Sequence, residues 1–189
     1  MSPFEYVIVL ISIILGLGIT TILTGVAEWI KHYRNSTLHT PYIIWIVVVF
    51  IMHIHEWWEC YSLKSIAVWK LPLFLFVVLY PINLYILAHL LFPRQLDNPF
   101  DSRKFYEDRY PAFFVCALIG VTLSIIHNIT IEGLHVTDQI VHFLLLIILG
   151  TTLLTKTRKH GVHLAIALLM LTTLIITLVL TQDQLLVGQ

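Results

Sequence analysis

Charge is scarce in this chain, and cysteine is scarcer. Only 12% of the 189 residues are Asp, Glu, Lys or Arg, about half the share of a soluble domain. Acids and bases balance at 11 each, and basic residues form only small clusters, which excludes a nucleic-acid surface. Cys60 and Cys116 form neither a CxxC pair nor a disulfide framework, which excludes paired-thiol redox chemistry. Residues 1–30 hold no Lys or Arg, so the basic start of a cleavable signal is missing. The first apolar segment is therefore expected to insert and stay. There is no HExxH pair, no series of HxxxH or HxxHH boxes, no glycine-rich phosphate loop and no Ser or Cys nucleophile beside a base. These absences point away from an enzyme.

What is plentiful is apolar length. Apolar residues make up 58% of the chain, mean hydropathy is +0.88, and they come in blocks rather than in alternation. Six blocks reach the ~20 residues that cross a bilayer: Tyr6–Ile30, Tyr42–Tyr61, Val68–Phe92, Pro111–Ile131, Thr137–Leu154 and Gly161–Thr181. The sequence thus predicts one all-α transmembrane bundle over residues 1–189, in contact with lipid throughout. Lys31 and Arg34 follow the first block, Arg94, Arg103, Lys104 and Arg109 the third, and Lys156, Arg158 and Lys159 the fifth. Short loops rich in Lys and Arg stay in the cytoplasm, so both termini are expected outside. Trp29, Trp45, Trp57, Trp58 and Trp69 all fall near block ends, where tryptophan prefers the headgroup level. The one long connection, 93–110, reads as a short amphipathic or irregular segment on the cytoplasmic surface; besides its bases it carries Asp97, Asp101, Glu107 and Asp108 and is a candidate docking site for a protein partner.

That orientation gathers ionisable residues at the outer face. Block two ends His53-Ile54-His55-Glu56-Trp57-Trp58-Glu59, block four ends with His127 and Asn128, Glu132 follows, and block five opens with His135, Asp138 and His142. On a helix His53 and Glu56 share one face, and His55 and Glu59 share another. The deeper pair, His53 and Glu56, is expected to face the interior, because an acid against lipid at that depth is costly. Imidazole with carboxylate is an ordinary metal ligand set, and two histidines at equal depth can hold a haem iron. His53, Glu56, His127 and His142 are therefore candidates for a metal or haem site, or for a proton or cation path. The shallower His55, Glu59, Glu132 and His135 read as interfacial and wetted. Pro81 interrupts block three between Tyr80 and Asn83, which share a face and are candidate path-lining residues. Ser12, Gly16, Thr20 and Thr24 recur every four residues in block one, a small-residue stripe suited to close packing inside the bundle, with a contact between copies as the alternative. His32, His39, His160 and His163 accompany basic loops and read as solvated or headgroup-binding; His89 lies near the same side.

Phe4-Glu5-Tyr6, then Ser12-Ile13-Ile14-Leu15-Gly16-Leu17-Gly18-Ile19-Thr20, with Trp57-Trp58 and Leu91-Phe92-Pro93, resembles a family of small bacterial six-helix inner-membrane proteins with no assigned activity. The resemblance implies a bacterial inner-membrane location and the fold, and nothing about chemistry. Three functions stay open: an oligomeric ion- or proton-conducting channel or transporter, a metal- or haem-binding membrane subunit, and a sensor or anchor. A homo-oligomer is expected for the first, since 189 residues leave little room for a path inside one chain.

Overall fold

The computed structural model describes residues 3–32, 34, 36–66, 68–94 and 99–181; Asp97 and the C-terminus lie outside them. Six helices are long and apolar enough to span a membrane, so the chain is an all-α, multi-pass membrane protein. They are α1 (Pro3–Lys31), α2 (Thr40–Glu59), α3 (Leu71–Leu90), α4 (Ser102–Thr130), α5 (Ile140–Thr155) and α6 (His160–Thr181). A 3-10 segment, Cys60–Ser65, prolongs α2, and another, Val136–Gln139, leads into α5. Two short strands, β1 (Ser36–Thr37) and β2 (Phe100–Asp101), pair in parallel.

Specific bonds sort the connections by end. The strand pair, with Ser102 Oγ donating to the Thr37 carbonyl at 2.5 Å, ties the α1–α2 and α3–α4 connections together. His163 Nε2 meets the Thr157 carbonyl at 2.9 Å and Nδ1 meets the Tyr106 hydroxyl at 2.9 Å, which brings the α5–α6 connection to the same end. This is the basic end. At the other, Ser62 Oγ donates to Glu132 Oε1 at 3.0 Å and Asn128 Nδ2 donates to Gln139 Oε1 at 3.0 Å, joining the α2–α3 and α4–α5 connections. We call it the carboxylate end.

α2 lies at the centre, packed on α1, α3 and α6 and touching α4. α1 also packs along α3, α3 along α4, and α4 along α5. α5 and α6 lean on different partners, with no substantial packing between them among the described residues. Membrane helices associate through close van der Waals fit rather than through escape from water. Gly18 of α1 illustrates that fit: a methyl group there would collide with the His53 imidazole. Gly120 of α4 does the same for α3, where an added Cβ would lie 2.8 Å from Asn83 Nδ2.

Three details depart from the sequence expectation. α4 begins at Ser102, so 102–110 is the first part of the spanning helix rather than a separate surface segment. The Asp101 carboxylate caps it, accepting from the Arg103 and Lys104 backbone N–H groups at 3.0 and 3.1 Å, and the helix runs on through Pro111. The expected block opens only at Pro111; here the turns ahead of it are held by that cap and by burial of Ser102, Tyr106 and Tyr110. The stripe on α1 also turns away from the bundle. Gly16, Thr20 and Thr24 are exposed and Ser12 is half-buried, while Val7, Ile11, Leu15, Gly18 and Ile22 face inward. Finally, Trp45 is not at an interface: it is 1% exposed, 4.9 Å from the Phe113 ring and 5.8 Å from Phe114.

Candidate functional site

A cavity of about 430 Å³ lies within the bundle, walled by α2, α3, α4, α5 and α6. On α2 its wall is one stripe, Trp45, Val48, Val49, Met52, Glu56 and Glu59, with His55 at the edge. These positions follow the i, i+3, i+4, i+7 repeat of a single helix face. α4 supplies Phe113, Ala117, Gly120, Ser124 and His127 on the same repeat. His142 and Leu145 come from α5, Met170, Leu174 and Thr177 from α6, and Phe76 and Tyr80 from α3.

Polarity is divided along the cavity. Trp45 and Phe113 lie toward the basic end, while His55, Glu56, Glu59, His127, Asn128, Glu132 and His142 cluster toward the carboxylate end. No Lys or Arg contributes to the wall among the described residues. His55 Nε2 stands 3.3 Å from Glu59 Oε1 one turn away, without the alignment of a hydrogen bond. Cys60 Sγ contacts Glu56 Oε1 at 3.8 Å, at the long limit for a thiol donor. His142 Nε2 meets Ser124 Oγ at 3.3 Å, and its buried Nδ1 has no hydrogen-bond partner. Both cysteines are free thiols.

The structure brings Glu56, His127 and His142 to one cavity and leaves His53 out of it. His53 is fully buried on another side of α2, its Nδ1 bonded to the Val49 carbonyl at 2.7 Å and its Nε2 facing Gly18 without a partner. The expectation of a single interior face fails because α2 is central: α1 covers the His53 side while the cavity takes the Glu56 side. His55 and Glu59, expected to be wetted and incidental, are cavity residues as well. His53 and His142 therefore do not face a common space for a haem. Among the described residues no three His, Cys, Asp or Glu side chains group closely enough to hold a metal ion. Tyr80 lines the cavity, whereas Asn83 is buried against Gly120 with its amide nitrogen unpartnered.

Sequence reading missed a second polar cluster, at the basic end. His39 and His163 are buried, not solvated. His163 packs among Tyr106, Tyr110 and Phe114 with ring centroids at 5.4, 4.7 and 5.7 Å. His39 lies 5.3 Å from the Tyr106 ring and 5.1 Å from His160. Burial, then the neighbouring His160 and Arg103, hold the His39 imidazole below its ordinary pKa despite the opposing pull of Glu107. The cluster adjoins Phe114, and Phe114 adjoins Trp45, so aromatic and imidazole rings run from the cavity floor to the basic end. The signal was the spacing of Tyr106, Tyr110 and Phe114 at every fourth residue, half-hidden in what reads as a charged loop. Compared with family models, with curated proteins and with solved structures, the chain matches none.

Proposed function

We propose that the protein is a carrier that moves a cation or a proton across a bacterial inner membrane, through the interior of a single chain. One observation carries this reading: a cavity between the spanning helices lined by Glu56 and Glu59, with Glu132 at its mouth, by three imidazoles and, among the described residues, by no Lys or Arg. Ionisable groups within spanning segments are costly and are kept for ion and proton pathways. An acidic wall without fixed positive charge favours cations over anions. The aromatic floor at Trp45 and Phe113 favours a gated carrier over an open pore. The cavity lies inside one bundle, so the path needs no interface; association of copies through the outward stripe on α1 is a separate property in this reading.

Proteoliposomes with a pH- or potassium-sensing dye inside test it. Voltage-driven flux above that of empty vesicles is expected, and it should fall roughly tenfold or more in Glu56→Gln, given what positioned proton-transfer groups contribute. No flux between pH 5 and 8 overturns the carrier. By the charge of the loops the carboxylate end faces outward, so an alkaline phosphatase fused to the C-terminus should be active and a fluorescent protein there dark. The reverse result turns the cavity toward the cytoplasm.

A further inference from the structure

Part of the cavity wall can hydrogen-bond in both directions without any fixed charge. Ser124 Oγ keeps bonding capacity beyond its 3.3 Å contact with His142 Nε2, because a hydroxyl carries one donor and two lone pairs. Tyr80 adds a second hydroxyl, and an imidazole in its neutral form, at His127 or His142, has one donor and one acceptor. An acidic head would find no counter-charge, since no Lys or Arg lines the wall among the described residues. The remainder is apolar, with ring edges from Trp45 and Phe113 and a thioether from Met170, surfaces that suit a flat ring. The cavity's about 430 Å³ falls within the roughly 300–1,000 Å³ range of small-molecule sites and exceeds what a proton needs. We infer that the cavity binds a neutral, membrane-soluble ring bearing carbonyl or hydroxyl oxygens, the chemistry of a quinone or quinol. Its oxygens meet Ser124, Tyr80 and His142, and its ring lies against the apolar wall. This goes beyond the carrier reading, because a binding site of this kind needs no flux.

The fold also offers such a molecule a route from lipid. The cavity is walled by His142 and Leu145 of α5 and by Met170 and Leu174 of α6, two helices that do not pack substantially on each other among the described residues. A ring with an apolar tail enters sideways between these helices and leaves its tail in the bilayer. His142, on α5, stands beside that entry.

The test uses the full chain in zwitterionic nanodiscs, with decylubiquinone and decylbenzene as probes that share a ring and a tail but differ in ring oxygens. Uptake in excess of empty nanodiscs should be saturable for decylubiquinone and absent for decylbenzene. His142→Leu combined with Tyr80→Phe removes two hydrogen-bonding groups and should weaken the quinone roughly tenfold. Met170→Trp, which fills the apolar part and leaves the polar wall intact, should weaken it as well and serves if the double variant does not fold. No saturable excess, equal uptake of both probes, or quinone binding unaffected by these variants overturns the inference. Proton or potassium flux without decylubiquinone binding overturns the ligand class and leaves the carrier. Binding without any flux keeps the ligand class and overturns the carrier.

Discussion

Both ends of this bundle bury histidines, and His163 at one end is bonded quite differently from His142 at the other. At the basic end His163 is bonded through both ring nitrogens, so its Nε2–H donates to the Thr157 carbonyl and its Nδ1 accepts from Tyr106. Aromatic rings close around it. At the carboxylate end His142 holds one long contact to Ser124 and leaves its other buried nitrogen without a partner. Glu56 has, among the described residues, a thiol at 3.8 Å. Buried polar groups that are bonded stabilise a fold, and those that are not are retained at a cost that stability alone does not explain. The difference separates a structural lock from a binding site.

The largest expected effect is on the lock. His163→Ala strands the Tyr106 hydroxyl and the Thr157 carbonyl and should destabilise by about 2–4 kcal/mol, read as thermal melting in nanodiscs. His142→Ala should cost under about 1 kcal/mol by the same measurement, since it removes an under-bonded ring from a cavity wall. Equal losses in the two variants would erase the distinction between the ends.

Next in size is the α1–α2 contact. Gly18→Ala should cost about 1–3 kcal/mol by overpacking against His53. Adding His53→Ala should recover part of that loss, which separates a local clash from a general intolerance of α1. A double variant as unstable as the sum of the singles would show that the two residues do not meet.

Most of the fold was legible because spanning a membrane imposes length and hydropathy, and each of the six blocks lies on an observed helix. α4 was shortened in the reading because Pro111 looks like a helix start and Arg103, Lys104, Glu107 and Asp108 look like loop. The Asp101 cap was present as a signal two residues before those bases. The site was half legible. Position at the outer ends of their blocks singled out Glu56, His127 and His142, and the Pro81 kink singled out Tyr80; all four line the cavity. Spacing did not separate His53 from Glu56, because faces three residues apart diverge by about 60° and a central helix has neighbours on both. Burial of His39 and His163 depended on the α2–α6 and α4–α6 packing, which no local pattern encodes.

A smaller effect follows from pH. The Asp101 carboxyl is held below its ordinary range by the N–H of Lys104, with the Thr37 hydroxyl and the Arg103 N–H adding to it. Its stabilisation is therefore present above about pH 4 and lost as pH falls through its lowered pKa. Asp101→Ala should cost about 1 kcal/mol at pH 7 and progressively less toward pH 3. His39 has the opposite charge type and the same sign of shift, so protonation opposes folding. It has no effect above its ordinary value of about 6.5 and destabilises increasingly below it. His39→Phe should flatten the melting curve between pH 7 and 5; an unchanged slope would mean His39 is not buried in neutral form.

A path lying inside one chain needs no second copy, and reconstitution below one copy per vesicle tests that directly. With the protein diluted stepwise, the fraction of vesicles showing voltage-driven cation or proton flux should fall in proportion to the copy number, and Glu56→Gln should abolish most of it at every dilution. A fraction that falls as the square or a higher power of copy number, or flux indifferent to Glu56, would contradict it.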